Sequence, residues 1–390
     1  MRVLFTTFPA PSHFFPMVPL AWALRAAGHE VAVAAQPSYL QAVRGTGLPA
    51  VKAGVDVDLG AVWYQDGETD PGWRSSEEAR AARGMRMFAA VAEAMADDVI
   101  AFARRWRPDV VVYEPRGYAG LVAAEVLGLP LVRHLWGTDY TCDRWDIESP
   151  ALLPMLERYG VPDADHLGAV TLDVCPPRLQ LAEAPNRTMM RYVPFNGSGI
   201  VPDLPAGPRE KPRVCVTWGT TFVKQTGHLD PVRSAVEALC DLDVDILVAI
   251  GTGHRHLIGE LPAGTPVLES VPLNLSLPAC DAIVHQGGAG TTITAAVLGV
   301  PQLVVPSFAD EPVNAAQVAA SGAGRSLPLD ETTVDTIRAE AGALLEDAGY
   351  AAAAREIRDE VAALPAPAAL VSTMEALGER GRREQVLSPR

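Results

Sequence analysis

Short apolar runs alternate with longer amphipathic stretches along the first half of the chain. "RVLFTTF" has the length and composition of a buried strand, and "MVPLAWALRAAG" has a helical pattern that ends at a glycine. "HEVAVAAQ", "VVVYEP", "GLVAAEVLG" and "LPLVRHLW" continue the alternation of strand-like and helix-like segments. This order predicts βαβ units, in which crossover helices join parallel strands.

The polar run "WYQDGETDPGWRSSEEARAARG", residues 63–84, interrupts the alternation. We predict that it is a mobile loop, because a long polar stretch of this kind rarely belongs to a core.

A segment rich in proline and glycine, "PFNGSGIVPDLPAGPREKP", separates two similar halves of the chain. Beyond it the alternation restarts with "RVCVTWGT", and 390 residues are too many for one core. We therefore predict an α/β protein with an N-terminal domain at 1–195, a linker at 196–212 and a C-terminal domain at 213–365. Residues 366–390 are predicted to form a helix that packs back on the N-terminal domain, and a tail.

Composition and charge narrow the function classes. The formal charge of −15 disfavours a binder of nucleic acid or of anionic membranes, since both need clustered cations. The five cysteines show no metal-ligand or disulfide spacing, which favours a reduced, cytoplasmic protein. We find no secretory signal and predict no segment that crosses a membrane.

The stretch "HQGGAGTTITAA", His285–Ala296, places bare backbone at the start of a predicted helix. Glycines allow a ligand to approach the backbone, and a helix N-terminus favours an anion. The stretch has no lysine, so it is not a Walker P-loop. A purely structural strand–helix turn remains the alternative.

The ordered run "ESVPLNLSLPACDAIVHQGGAGTTITAAVLGVPQLVVPSFADEPVNAAQV" resembles the donor-binding half of family 1 glycosyltransferases. "MRVLFTTFPAPSHFFPMVPLAWALRAAGHEVAVA" and "RYVPFNGSG" resemble the bacterial subgroup that attaches deoxysugars to macrolide or aromatic polyketide aglycones. The resemblance spans essentially the whole chain. It implies the GT-B fold, with two Rossmann-like doubly wound domains facing a cleft, a thymidine-diphosphate (TDP) sugar as co-substrate, and no cofactor or metal.

The resemblance also implies a donor site. Fixed N–H dipoles and the imidazole of His285 would stabilise the leaving diphosphate without a metal. The family usually has an acid followed by glutamine where this chain has Asp310 and Glu311, so the identity of the sugar stays open. Plant relatives place a tryptophan where this chain has Val271, so a plant-type uridine site is disfavoured. The implied donor residues are Thr217, Gly219, Thr220, Val271, His285, Gly287, Gly288, Ala289, Gly290, Thr291, Asp310 and Glu311.

His13, in "PSHFFP", matches the catalytic histidine of the family, and Glu114 matches the place of its acidic partner. An imidazole can remove the acceptor hydroxyl proton, and a carboxylate can orient the ring. A structural histidine and a simple strand-end acid are the alternatives. Candidates for an apolar acceptor wall, any of which could instead be ordinary core, are Trp63, Tyr64, Met85, Phe88, Trp136 and Tyr140.

We therefore expect inverting transfer of a deoxysugar, rhamnose-like in our interpretation, from a TDP-sugar to a hydroxyl of a polyketide-type aglycone. The alternatives are a UDP-glucose-dependent transferase acting on a flavonoid- or sterol-like acceptor, a sugar-nucleotide epimerase, and a non-catalytic sugar-nucleotide-binding or helper protein. Two questions stay open: whether the chain forms a homodimer, and whether it needs an auxiliary activator protein, as some relatives do.

Overall fold

The computed structural model describes residues 1–63, 77–181, 186–204, 209–219 and 221–387; for 77–80 and 384–387 it describes the backbone alone. The chain divides into two compact units. The first contains Met1–Val174, Ala182–Val193 and Pro365–Arg390, and the second contains Cys175–Leu181 and Pro194–Leu364.

The first unit contains a seven-stranded sheet whose neighbouring strands are all parallel. Its strands are β1 (Arg2–Thr6), β2 (Glu30–Ala35), β3 (Ala50–Lys52), β4 (Val110–Tyr113), β5 (Leu131–His134), β6 (Val170–Asp173) and β7 (Arg187–Met189). The order is β3-β2-β1-β4-β5-β6-β7, so the direction of winding reverses between β1 and β4. The central strand β4, "VVVY", is buried along its whole length, as expected for a strand covered on both faces.

Helices cover this sheet. They are α1 (Pro11–Phe14), α2 (Val18–Ala26), α3 (Leu40–Arg44), α4 (Leu59–Trp63), α5 (Glu77–Trp106), α6 (Tyr118–Leu127), α7 (Trp145–Arg158) and, from the C-terminus, α15 (Val371–Leu387). The predicted loop at 63–84 is wrong at its C-terminal end, because α5 already begins at Glu77. The glutamate, alanine and arginine residues there favour a helix, and α5 places Val91, Met95 and Val99 in the core.

The second unit repeats the design with a six-stranded parallel sheet in the order β10-β9-β8-β11-β12-β13. Its strands are β8 (Arg213–Thr217), β9 (Asp245–Ile250), β10 (Val267–Glu269), β11 (Ala282–His285), β12 (Gln302–Val304) and β13 (Gly324–Ser326). Its helices are α8 (Thr221–Thr226), α9 (Asp230–Cys240), α10 (Leu273–Ser276), α11 (Ala289–Leu298), α12 (Glu311–Ala320), α13 (Val334–Glu346) and α14 (Ala348–Ala362). The prediction of an α/β protein with two doubly wound parallel sheets is confirmed.

The grouping of residues differs from the predicted boundaries at two places. Residues 175–181 group with the second unit, where Cys175 and Leu179 pack against its apolar side chains. The described residues of the predicted linker, 196–204 and 209–212, also group with that unit, as do residues 194 and 195, which we placed in the N-terminal domain. Asn196 explains part of this, since its side chain accepts a hydrogen bond from the amide of Asn274 and donates one to the hydroxyl of Thr294, both at 3.1 Å.

The stretch Ala348–Arg383 is long and apolar enough to cross a membrane, although the sequence analysis predicts no such segment. In the structure it contains two helices, α14 and α15, interrupted near Pro365. Of its most apolar window, 39% is buried, and α14 places Ile357 and Val361 in a core cluster of the second unit. Length and composition therefore do not by themselves assign this stretch to a membrane.

Candidate active site

The first half-site lies where β1 and β4 end side by side. Thr6 pairs with Tyr113 in the sheet, so the segments that follow both strands leave from the same edge, at the switch point of the winding. After β1 the chain begins α1 with a proline at its first position and places His13 on that short helix. After β4 comes Glu114. The sheet topology thus brings together two residues 101 positions apart in the chain.

His13 and Glu114 form a direct pair. The Nδ1 atom of His13 lies 2.9 Å from Oε2 of Glu114, which is fully buried. The same carboxylate accepts the backbone N–H of Phe8 at 2.8 Å and that of Arg116 at 2.9 Å. With its Nδ1–H donated to Glu114, a neutral His13 carries its lone pair on Nε2 and can take a proton there. This is the geometry that the sequence analysis predicts for a base and its orienting acid.

Aromatic rings surround the His13 imidazole. The ring centroid of Trp136 lies 4.4 Å from that of His13, and those of Phe8 and Phe88 lie 5.2 Å and 6.2 Å away. Tyr140 packs edge-on against Trp136, with 6.4 Å between the centroids. The His13 imidazole therefore lies in an apolar setting suited to a flat hydrophobic ligand.

Arg116 supports this aromatic cluster from within the core. Its guanidinium carbon lies 4.9 Å from the ring centroid of Phe88 and 5.8 Å from that of Tyr140. It also donates to Oε2 and Oε1 of Glu148, at 2.5 Å and 2.8 Å, and to the sulfur of Met85 at 3.3 Å. The structure thus brings together four of the predicted acceptor residues: Met85, Phe88, Trp136 and Tyr140.

The other two predicted acceptor residues are less informative. Trp63 is the last residue of α4 and is half-buried, and Tyr64 lies outside the described residues. Their assignment to the acceptor wall stays a prediction.

The second half-site lies at the corresponding switch point, where β8 and β11 end side by side with His285 paired to Thr217. Gly219 follows β8 with a φ of +61°. Residues 286–291, which we call the glycine turn, follow β11 and lead into α11. Among the described residues, none accepts a hydrogen bond from the backbone amides of Gly288, Ala289, Gly290 or Thr291. Four N–H groups at the N-terminus of a ten-residue helix make this turn suitable for an anion. Thr220, a further predicted donor residue, lies outside the described residues.

His285 does not have the partners that we predicted. The side chain is fully buried, its Nε2 lies 2.9 Å from Oε1 of Gln302, and its Nδ1 accepts the backbone N–H of Gly287 at 3.0 Å. Burial lowers the pKa of this imidazole to about 4, although the bond to Gln302 opposes the shift. The ring is thus neutral with both nitrogens occupied. The prediction that it donates to a diphosphate does not fit this geometry.

The neighbouring Gln286 is the side chain that the sequence analysis missed. It is 5% exposed, and its Oε1 has no hydrogen-bond partner in the described part of the chain. A β-carbon at Gly219 or at Gly288 would lie 2.7 Å or 3.0 Å from its Nε2, so the amide lies between the two glycine segments. A buried amide with an unsatisfied group is suited to a polar ligand at this edge of the sheet.

Asp310 and Glu311 begin α12, but their side chains have different environments. Oδ2 of Asp310, which is half-buried, accepts a hydrogen bond from Asn314 at 2.8 Å. The carboxyl group of Glu311 is buried and accepts the backbone N–H groups of Ser307 and Phe308, at 2.8 Å and 3.0 Å. Burial raises the pKa of Glu311 to about 8, although these two hydrogen bonds oppose the shift. The Glu311 carboxyl group thus binds the backbone of the loop that precedes α12, whereas we predicted that it contacts a sugar.

The loop that contains Val271 has strained backbone. Ser270, directly before it, has a φ of +52°, and Ala309, directly before Asp310, has a φ of +57°. Such left-handed conformations of residues other than glycine are uncommon and concentrate at functional sites. The hydroxyl oxygen of Ser270 accepts the backbone N–H of Thr252 at 2.9 Å, which fixes this loop to the segment that follows β9.

The structure describes no group of three or more histidine, cysteine, aspartate or glutamate side chains that could hold a metal ion, within the residues it covers.

Comparisons with known proteins agree with this architecture. Residues 22–219 and 233–377 match the N-terminal and C-terminal domain models of the family described as "Erythromycin biosynthesis protein CIII-like". The chain is 37% identical to the 10-deoxymethynolide desosaminyltransferase of Streptomyces venezuelae, with 98% of each chain covered. It is 39% identical to the L-demethylnoviosyl transferase of Streptomyces niveus, over 96% of this chain and 98% of the relative.

Two solved structures show the same fold. The spinosyn rhamnosyltransferase SpnG superposes with a TM-score of 0.83 at 36% identity, covering 96% of this chain and 100% of SpnG. The glycosyltransferase VinC, solved in complex with DTDP, superposes with a TM-score of 0.81 at 34% identity, covering 97% and 100%. The protein is a glycosyltransferase of the GT-B fold, as the sequence analysis predicts. It belongs to the erythromycin biosynthesis protein CIII-like family.

Proposed function

We propose that this enzyme transfers a deoxysugar from a TDP-sugar to a hydroxyl group of a polyketide-type aglycone, with inversion at the anomeric carbon. The observation that carries the proposal is a row of four backbone amides, from Gly288 to Thr291 at the N-terminus of α11, for which the described residues provide no hydrogen-bond acceptor. Negative charge develops on the diphosphate as the glycosidic bond breaks. Fixed N–H dipoles stabilise such charge without having to reorganise.

His13 is the proposed general base. As the acceptor oxygen attacks the anomeric carbon, Nε2 of His13 takes its proton, and Glu114 stabilises the imidazolium that forms. The bond between the anomeric carbon and the diphosphate oxygen breaks as the new glycosidic bond forms. The amides of the turn and Nε2 of Gln286, which lies beside Gly219 and Gly288, would donate hydrogen bonds to the diphosphate oxygens.

The class of substrate rests on the relatives and on the acceptor wall. The relatives are named for desosaminyl, demethylnoviosyl and rhamnosyl transfer, and VinC was solved with DTDP. The aromatic cluster around His13 suits a large apolar aglycone. We propose a rhamnose-like sugar, action without metal or cofactor, and a cytoplasmic location.

A transfer assay tests this proposal. TDP-L-rhamnose, other TDP-deoxysugars and UDP-glucose would each be offered with a panel of macrolactones and aromatic polyketide aglycones. We expect turnover with a TDP-deoxysugar and a product whose anomeric configuration is opposite to that of the donor. Equal turnover with UDP-glucose, or retention of configuration, would contradict the proposal.

His13→Ala tests the role of the base in the same assay. We expect kcat to fall roughly 100- to 10,000-fold, the usual contribution of general base catalysis, while TDP binding stays as in the wild type. His228→Ala, which changes an exposed histidine of the second unit, serves as the control and should retain full turnover. A His13→Ala enzyme as fast as the control would show that another group removes the proton.

A further inference from the structure

Gly287 has both of its backbone polar groups bonded inside the second unit. Its N–H donates to Nδ1 of His285 at 3.0 Å, and its carbonyl accepts a hydrogen bond from Nδ2 of Asn314 at 2.8 Å. Its φ of +98° suits only glycine, and a β-carbon there would lie 2.8 Å from Cγ1 of Val304. The peptide groups on both sides of Gly287 are therefore fixed in orientation, and the second of them carries the N–H of Gly288.

A buried chain of hydrogen bonds, through His285 and Gln302, joins the N–H of Gly287 to α11. Nε2 of His285 donates to Oε1 of Gln302, and Nε2 of Gln302 donates to the carbonyl of Thr292 at 3.2 Å. The directions of these bonds agree with a neutral ring protonated at Nε2. Gln302 and His285 are 1% and 0% exposed, so losing either partner would leave a buried polar group unsatisfied.

The same chain continues in the other direction to the loop after β12. Nδ2 of Asn314, which is 2% exposed, donates both to the carbonyl of Gly287 and to Oδ2 of Asp310, each at 2.8 Å. One amide group therefore joins the glycine turn to the first residues of α12. The two segments belong to different strand–helix steps of the sheet, so this amide is a direct link between them.

We propose that Asn314, with His285 and Gln302, is a positioning network that couples the Asp310 loop to the glycine turn. The position of the loop then sets how well the turn binds a diphosphate, and occupation of the turn in return fixes the loop, since such coupling is reciprocal. The inference rests on the proposed function, because it takes the turn to be the diphosphate site. Asn314 touches no ligand in this account and acts through Gly287.

Calorimetric titration with TDP, which has no sugar, tests the link. We expect Asn314→Ala to weaken TDP binding about tenfold, the usual effect of losing a buried hydrogen bond. Gln317→Ala is the matched control: Gln317 lies on the same helix and donates to the carbonyl of Gln180, away from the turn. It should bind TDP like the wild type.

The TDP affinity of Asp310→Ala distinguishes coupling through Asn314 from a merely structural role of Asn314, which would leave that affinity unchanged. TDP has no sugar for Asp310 to contact, yet we expect Asp310→Ala to weaken TDP binding several-fold because Asn314 loses its second anchor. The double variant should bind TDP no more weakly than Asn314→Ala alone, since both changes break the same link.

Two results would overturn the inference: a TDP affinity of Asn314→Ala equal to that of Gln317→Ala, or an unchanged affinity in Asp310→Ala. If Asn314→Ala does not fold, the TDP affinity of Asp310→Ala still tests the inference. Replacing the half-buried Asp310 leaves the bond between Asn314 and Gly287 in place. A wild type that binds no TDP at all would overturn the proposed function together with this inference. Binding by the wild type with unaffected variants would overturn the inference alone.

Discussion

His13 and His285 both lie near the ends of strands, yet their surroundings differ. His13 keeps 13% of its side chain exposed, among aromatic rings and beside a carboxylate. His285 has no exposure, and both of its nitrogens are bonded within the second unit. The sequence pattern assigns both residues to a ligand site. It could not separate them, because the partner of His285 is Gln302, a residue on the next strand whose role no local pattern indicates.

Asn314 could have been found from the sequence, whereas Gln302 could not. Asn314 lies four residues after Asp310, a spacing that places two side chains on one face of a helix. Gln302 stands in an apolar strand where only the fold shows that it faces His285. The sequence shows that Glu311 stands where the family usually has glutamine, but only the fold shows that its carboxyl group accepts the backbone N–H groups of Ser307 and Phe308.

Glu114→Gln tests how the carboxylate acts on His13. Glutamine has the same shape, but its N–H₂ group cannot accept a hydrogen bond, so at least one of the three N–H groups that Glu114 binds loses its acceptor. We expect kcat to fall about 100-fold or more while TDP binding is unchanged, as for other base–orienter pairs. Steady-state kinetics at saturating donor measures this. An unchanged kcat would mean that Glu114 only supports the loop.

His134 gives a test of stability against pH. The side chain is fully buried, and burial lowers its pKa from 6.5 in the unfolded chain to about 4. The folded state therefore binds fewer protons between these values, and its stability falls as the pH drops from 6.5 towards 4. Urea unfolding measures the free energy of unfolding at pH 7 and at pH 5. We expect its decrease between these two pH values to be about 2 kcal/mol smaller in His134→Leu than in the wild type. Equal losses would mean that the folded His134 takes up its proton at the ordinary pH.

At the scale of the element, the strands were the best predicted features. Apolar runs such as β1 and β4 are buried on both faces, so their composition alone identifies them. The start of α5 was missed because its first turns are polar. A polar run looks the same whether it forms a loop or the exposed end of a long helix, and only the packing of Met95 and its neighbours on the sheet decides.

The packing of α5 depends on Gly54. This glycine has a φ of +70°, and its N–H donates to Oδ2 of Asp98 on α5 at 2.8 Å. A β-carbon at Gly54 would overlap the carbonyl oxygen of Ala94 on the same helix. The close approach of Gly54 to Ala94 helps to hold α5, which also carries Met85 and Phe88, two residues of the predicted acceptor wall.

Gly54→Ala should therefore destabilise the first unit by more than backbone strain alone. Gly47→Ala is the matched control, because Gly47 has a similar φ of +77° with open space around a β-carbon. We expect the free energy of unfolding to fall by about 1–3 kcal/mol more for Gly54→Ala than for Gly47→Ala, the typical cost of overpacking. Chemical denaturation measures both, and equal losses would show that α5 moves aside freely.

At the scale of the whole molecule, the chain leaves the first unit for the last time after Val193 and returns to it at Pro365. The returning segment places Leu370, Met374 and Leu377 in buried positions. Arg382 bonds to Asp109 at 2.5 Å, and a β-carbon at Gly381 would lie 2.5 Å from Cγ of Pro130. The C-terminal helix is therefore an integral part of the first unit.

A chain that stops after Leu364 tests this assignment. We expect the thermal unfolding transition of the first unit to fall by several degrees or more, because several buried apolar side chains are lost. The transition that TDP shifts upward should keep its midpoint, since ligand binding identifies the second unit. Differential scanning calorimetry with and without TDP separates the two. A lower midpoint of the transition that TDP stabilises would contradict the assignment of the C-terminal helix to the first unit.

The central claim is that the backbone N–H groups of residues 288–291, at the start of α11, bind the leaving diphosphate. Ala289→Pro removes one of these N–H groups at a position where a helix tolerates proline, and Gly288 before it has a ψ of 137°, which suits a following proline. Ala348→Pro, at the first position of α14 in the same unit, is the control. Calorimetric titration with TDP should show binding at least tenfold weaker in Ala289→Pro than in the wild type and in the control. Equal affinities in all three proteins would contradict the claim.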